Sequence, residues 1–108
     1  MNTDTVFETI VADLAPRGAI AGMMFGSRAL KAGGKAFACV NNGVFAVKLG
    51  AGTPAHAAAL ALSGAALFDP SGANRPFKDW VAVPAAHAAI WGSLAESALR
   101  NLVGGFGG

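Results

Sequence analysis

The chain holds few residues that could do covalent chemistry: one cysteine, two histidines and six carboxylates among 108 residues. A hydrolase of the triad type needs a nucleophile, a base and an orienting acid within reach of one another. Cys39 stands in a predicted strand with no catalytic motif around it, which favours a buried structural thiol. His56 and His87 fall in alanine-rich segments without zinc-site spacing. The sequence therefore predicts no enzyme, no catalytic or metal-binding residue and no cofactor.

Two groups of basic, aromatic and apolar residues remain as binding candidates. The first is predicted on one sheet face and comprises Leu30, Lys35, Phe37, Cys39 and Lys48. The second lies in the stretch "FDPSGANRPFKDWVAVP" and comprises Arg75, Phe77 and Lys78. An aromatic ring between bases suits single-stranded nucleic acid, whereas charges around an apolar patch suit a protein interface equally well. Both alternatives stay open at this point.

Three helices are expected to support these groups. "TVFETIVADLAP" pairs Thr5 with Glu8 as a capping box and repeats apolar residues at helical spacing. "GTPAHAAALALSG" offers Thr53 as the cap and a proline at the first helical position. Pro84 then precedes a third helix over about 85–102 with one apolar stripe.

Between the first two helices, two turn signals predict an antiparallel meander. Gly33-Gly34 and Asn42-Gly43 divide the segment into strands near 20–25, 28–32, 35–41 and 44–49. Two-residue loops at both turns assign alternate residues to a core face and a second face. The core face comprises Ala36, Ala38, Val40, Phe45, Val47 and Leu49, and the second face comprises Leu30, Lys35, Phe37, Cys39, Ala46 and Lys48. The second face is too apolar for bare solvent, so another element or a partner subunit is expected to cover it.

The aromatic stretch is predicted to be a hairpin, with strands over 65–69 and 79–83 and a long loop between them. Asp69-Pro70-Ser71-Gly72 fits a type I turn at all four positions. Arg75 is expected to hold the loop shut by pairing with Asp69 or Asp79. Trp80 is expected to be buried at the root of the loop.

Composition and charge limit the kinds of partner and the cellular location that the sequence predicts. The length predicts one domain, and no apolar run approaches the ~20 residues of a membrane span. A single cysteine makes a reduced, cytoplasmic location the default. Residues 17–79 hold seven bases and two acids, a local excess that could meet phosphates. Spaced bases on strands also keep sheet edges soluble, and this second interpretation is favoured.

Four motifs follow one another in a fixed order: "MMFG", "LKAGGKAFACV", "VFAVKL" and "FDPSGANRPFKDWVAVP". Together, over roughly residues 6–100, they resemble the TfoX N-terminal domain family and, more loosely, the YjbR-like proteins. The resemblance implies a two-layer α+β domain like that of type III secretion chaperones, with helices on one face of an antiparallel sheet. It implies no catalytic residue, and the competence regulators of the family suggest a regulatory role.

The sequence thus predicts one α+β domain over residues 1–103, in the order helix–meander–helix–hairpin–helix, and a flexible Gly-rich tail over 104–108. The predicted function is a non-enzymatic interaction or regulatory module that acts as a homodimer through its sheet, with an unidentified protein partner. The alternative is a nucleic-acid-associated regulator that uses the basic sheet face or the loop. No membrane contact is predicted.

Overall fold

The computed structural model describes residues 2–24, 26–70 and 74–104, and within them six strands and three α-helices follow the predicted order. The elements are α1 (Thr3–Leu14), β1 (Ile20–Met24), β2 (Ser27–Ala32), β3 (Lys35–Asn41), β4 (Val44–Lys48), α2 (Pro54–Leu60), β5 (Ala66–Phe68), β6 (Phe77–Val83) and α3 (Trp91–Gly104). All strand pairs are antiparallel, in the sheet order β1-β2-β3-β4-β6-β5. The predicted α+β class is confirmed, and the predicted tail lies outside the described residues from residue 105 onward.

The helix boundaries follow the caps that the structure uses. Asn2 caps α1, because its Oδ1 accepts from the backbone N–H groups of Asp4 (2.8 Å) and Thr5 (3.3 Å). The predicted cap at Thr5 is therefore wrong, and Glu8 forms an ion pair with Arg28 on β2. At α2 the predicted cap is confirmed, since Thr53 Oγ1 accepts from the N–H of residue 56 at 3.1 Å.

The last helix begins later than predicted. Residues Ala85–Ile90 form a 3₁₀ segment with a non-helical residue at His87, and the α-helix starts only at Trp91. The imidazole of His87 donates from Nε2 to the carbonyl of Ser63 at 2.9 Å, which ties this segment to the end of the α2 region. That long-range bond has no local sequence signal.

The meander follows the predicted register on one side of β3 and departs from it on the other. Between β3 and β4, Val40 pairs with Phe45 and Cys39 with Ala46, as the Asn42-Gly43 turn predicts. Between β2 and β3 the register shifts at Leu30/Lys31, so that Phe37 has no residue opposite it. Such a bulge interrupts the alternation of side chains, so the residues of β3 before Ala38 lie on the face opposite to the one that a continuous ladder predicts.

The bulge corrects two predicted interface residues. Leu30 and Phe37 are fully buried in the core beneath the helices, not on the second face, and Ala36 takes the place predicted for Phe37 on that face. The physical reason is burial: in the bulged register the Phe37 ring packs fully into the large core beneath the helices, where its apolar surface is removed from water.

The main core lies between the sheet and the helices, which all pack on one face. Its centre is aromatic: Trp91 of α3 stacks on Phe45 of β4 with ring centroids 5.1 Å apart, and Phe7 of α1 meets Phe45 edge-on at 6.4 Å. The surrounding buried residues include Ile10, Leu14, Leu30, Phe37, Val47, Leu49, Val81, Val83, Ala95, Ala98 and Leu99. No helix in the described part of the chain is long and apolar enough to cross a membrane.

Candidate functional site

The sheet face away from the helices, here called the outer face, is covered by side chains of its own hairpin. Its floor is built from small residues, Ala29, Cys39 and Ala46, each almost fully buried. Phe68 of β5 and Trp80 of β6 lie on this floor with ring centroids 5.9 Å apart, and both are buried. The outer face is thus a second small core, and the expected burial of Trp80 is confirmed.

Cys39 belongs to this second core and is not a candidate nucleophile. Burial raises the pKa of its thiol from 9.0 to about 11, so the thiol stays protonated near neutral pH. A protonated, covered thiol reacts poorly, because the thiolate is the nucleophile. The structure therefore supports the structural role that the sequence favours for this residue.

A pH dependence of stability follows from this thiol. As the pH rises from about 9 to about 11, the unfolded chain releases the Cys39 proton while the folded chain keeps it. The free energy of unfolding should therefore fall across this window, by about 3 kcal/mol in total. Denaturant melts of the wild type and of Cys39→Ala over this pH range measure the difference. An identical slope in the two proteins would contradict the burial of the thiol.

Each of the two histidines forms a hydrogen bond to a backbone carbonyl in a different segment of the chain. His56 is buried and donates from Nε2 to the carbonyl of Lys78 at 2.7 Å, which fixes the start of β6 against α2. His87 makes the bond to Ser63 described above. Among the described residues, no group of three His, Cys, Asp or Glu side chains could hold a metal ion.

The hairpin loop exposes its predicted contact residues Arg75, Phe77 and Lys78. The loop is held by Asp69, whose Oδ2 accepts from the backbone N–H of Arg75 at 3.1 Å. This contact is made by the backbone amide of Arg75, whereas the prediction paired the charged side chain of Arg75 with Asp69 or Asp79. The predicted turn includes Ser71 and Gly72, which lie outside the described residues.

Lys35 and Lys48, both predicted as members of the sheet-face interface, line a cleft beside the end of α3. The cleft has a volume of about 260 Å³ and is lined also by Gly50, Asp79, Ala98, Asn101 and Leu102. The sequence predicts both lysines on one sheet face, but it gives no sign that Asn101 joins them.

Sequence reasoning missed the most exposed apolar element, the edge strand β1. Its residues Ile20 and Met23 are 68% and 58% exposed, and the strand "IAGMM" carries no charge and no proline. In the described part of the chain β1 pairs only with β2, so its other edge is open. The available signal was the lack of any charged residue in this strand.

No family model matches this chain, and no curated protein or solved structure matches it. The resemblance to the TfoX N-terminal family therefore stays a prediction from the sequence motifs.

Besides the exposed hairpin residues, the described part of the chain presents two further surfaces able to bind a partner or ligand. One is the open edge of β1, which presents backbone hydrogen-bonding groups flanked by apolar side chains. The other is the lysine cleft at the end of α3. The expected Phe37-centred patch is not among them, because its central ring lies in the main core.

Proposed function

We propose that this protein is a non-enzymatic interaction module of the TfoX N-terminal type that acts as a homodimer through the open edge of β1. The observation that carries the proposal is an uncharged edge strand with two large, exposed apolar side chains. Monomeric sheet proteins usually protect such edges with charges, prolines, bulges or short strands, because an open edge pairs with other chains. β1 has none of these protections within its five residues.

The opposite edge of the same sheet provides the contrast. β5 has only three residues, and its pairing with β6 is broken by a register shift at Leu67/Phe68. A short, irregular edge is a poor template for an added strand. One edge of the sheet is thus blunted and the other is not, which favours β1 as the contact.

A second copy of β1 fits this edge in one antiparallel register centred on Gly22. This register is the one that pairs all five residues of both strands. Ile20 then lies beside Met24 of the second copy, and Ala21 lies beside Met23 of the second copy. Large side chains meet apolar or small ones on both faces, as cross-strand packing requires.

The charges next to β1 agree with this register. Lys31 pairs with Ile20 and Arg28 pairs with Met23 in the adjacent strand β2. In the dimer, Lys31 and Ile20 would line up with Met24 and Ser27 of the second copy. Arg28 and Met23 would line up with Ala21 and Leu30 of the second copy. No like charges face each other, and each newly buried Ile20 or Met23 would contribute roughly 1–2 kcal/mol.

The test is the mass of the protein in solution with a charge placed on either edge. Wild type should be a dimer at micromolar concentration by light scattering. Met23→Lys should be a folded monomer, because the new ammonium group would be desolvated beside an apolar strand and next to Arg28. Ala66→Lys is the matched control: it adds the same charge at an exposed residue of β5 and should remain a dimer. A monomeric wild type would contradict the proposal.

A second candidate function, association with nucleic acid, keeps support only at the hairpin. Arg75, Phe77 and Lys78 are exposed together there, whereas the bulge removes Phe37 from the bases on the sheet. Binding through this loop must weaken steeply with salt, and replacing both bases by alanine should reduce the salt slope by about 1 for each phosphate that is no longer neutralised. Fluorescence anisotropy with single-stranded DNA at low salt tests it, and an absence of binding there would end this alternative.

A further inference from the structure

The lysine cleft has the composition of a binding site rather than of a packing defect. Lys35 and Lys48 come from the ends of β3 and β4, and Asn101 comes from the last turns of α3. Ala98 and Leu102 of the same helix form an apolar wall. The cleft thus combines hydrogen-bond donors that suit an anion with an apolar wall that suits a hydrocarbon chain.

The charged side chains that line the cleft have a net charge of +1. Neither lysine forms an ion pair with any residue that the structure describes. Asp79 also lines the cleft, but its Oδ1 accepts from the backbone N–H of Ala51 at 2.8 Å, and its carbonyl accepts from Leu49 and Gly50. Its role is therefore to hold the loop after β4, and two positive charges face one negative charge.

The amide of Asn101 is placed at the cleft by the absence of a side chain on Gly50. A Cβ at Gly50 would lie only 3.0 Å from Asn101 Nδ2, so with any other residue the amide would have to shift by a few tenths of an ångström. Gly50 also has a φ of +87°, a conformation that few other residues adopt. This glycine thus sets both the turn after β4 and the position of a third donor.

The cleft continues along the sheet edge of α3. A neighbouring cavity of about 300 Å³ is lined by Ala32, Gly33, Lys35 and Leu102, so it shares one lysine and one leucine with the cleft. Lys48, Asp79 and Asn101 line only the first cavity, and Ala32 and Gly33 line only the second.

We propose that this cleft binds a small monocarboxylate with an apolar body. The carboxylate would accept hydrogen bonds from Lys35, Lys48 and the Asn101 amide, and the hydrocarbon would lie along Leu102 toward Gly33. A single negative charge balances the net charge of +1 that Lys35, Lys48 and Asp79 give the cleft, whereas the second charge of a phosphate dianion would be left uncompensated beside Asp79. Charge-assisted hydrogen bonds of this kind are the strong ones in protein recognition.

The lysines also lie near the C-terminal turns of α3, where cations stabilise a helix through its dipole. That role requires no ligand. The two roles differ in what a lysine substitution does: a purely structural lysine changes the melting temperature, whereas a ligand-binding lysine changes the affinity for a carboxylate.

The experiment is an amide NMR titration with hexanoate, with hexan-1-ol and inorganic phosphate as comparison probes. Saturable shifts are expected for Gly50 and for the backbone and side-chain amides of Asn101 with hexanoate. Hexan-1-ol and phosphate should bind more weakly. Lys48→Met keeps the aliphatic stem and should weaken hexanoate binding by about tenfold, the loss of one hydrogen bond to a charged group. Lys78→Met, at an exposed base of the hairpin, should leave it unchanged.

Several results would overturn the proposal. Hexanoate shifts that do not saturate, or equal binding of hexan-1-ol, would show that no carboxylate is recognised. Tighter binding of phosphate would contradict the ligand class. An equal loss of hexanoate affinity in Lys78→Met would show that binding depends only on the overall charge of the protein. A lower melting temperature of Lys48→Met with unchanged hexanoate affinity would leave the lysine with its helix-stabilising role alone.

Discussion

Trp91→Ala is expected to lower the free energy of unfolding by about 3–5 kcal/mol, the usual loss for a large aromatic side chain removed from a core. Trp91 is fully buried, and its ring stacks on Phe45 at 18° to it. The substitution leaves a cavity between α3 and the centre of the sheet that the rigid neighbours cannot fill. Urea denaturation followed by circular dichroism measures the loss.

Trp91→Phe is the control for this experiment. No acceptor among the described residues reaches the buried Nε1 of Trp91, so the indole N–H is a polar group that costs free energy where it stands. Phenylalanine removes that group and keeps an aromatic ring, and its loss of stability should be clearly smaller than that of alanine. Equal losses in the two variants would contradict the assignment of Trp91 to the centre of the core.

Phe37→Asp is expected to unfold the protein or to destabilise it by about 5 kcal/mol. Phe37 is fully buried beneath the helices, and an aspartate there loses the packing of the ring and places an unpaired carboxylate in a dry interior. The measurement is the fraction of folded protein in water and its midpoint in urea.

Phe37→Asp also distinguishes the bulged β2–β3 pairing of the structure from the continuous pairing that the sequence predicts. If Phe37 lay on the outer face, as an unbroken ladder predicts, Phe37→Asp would give a folded protein with an altered surface. Lys35→Asp, two residues away at an exposed position, should change stability by less than about 1 kcal/mol. A folded and stable Phe37→Asp would contradict the bulge in β3.

Much of the fold could be predicted because its signals are local. Asn42-Gly43 specifies a tight hairpin, and the β3–β4 register follows from it by counting residues. Thr53 and Pro54 specify the start of α2 in the same way. The alternation of Val81 and Val83 toward the helices, with Trp80 and Ala82 toward the outer face, also follows from the period of a strand.

The bulge at Phe37 could not be predicted, because its cause is tertiary. Nothing in "KAFACV" marks an extra residue, and the gain comes from the cavity that α1 and α3 create over the sheet. A shift of one residue moves every following side chain to the opposite face, so one missed bulge misplaced Leu30 and Phe37 together. Cys39 and Ala46 lie on the predicted second face, so the bulge removes only Leu30 and Phe37 from the candidate interface.

The two surfaces proposed for binding were also out of reach of sequence reasoning. The openness of β1 depends on the sheet order, which places β1 and β5 at the two edges. The lysine cleft depends on where the end of α3 lies relative to β3 and β4. Neither relation is local, although the uncharged composition of β1 is visible in the sequence.

Dimerisation through β1 can be tested by disulfide cross-linking at the proposed two-fold axis. Gly22→Cys is well tolerated by the monomer, since a Cβ there would meet only the flexible side chain of Lys31 at 3.4 Å. Cys39 is buried, so the new thiol would be the accessible one. Directly opposite Cβ atoms in an antiparallel pair lie about 4.5–5.5 Å apart, close enough to oxidise to a disulfide after a small adjustment.

Mild oxidation is expected to convert Gly22→Cys into a covalent dimer on a non-reducing gel. Ala66→Cys, at the opposite edge of the sheet, should stay uncoupled under the same conditions. A Gly22→Cys protein that remains monomeric, or an Ala66→Cys protein that cross-links as completely, would contradict dimerisation through β1.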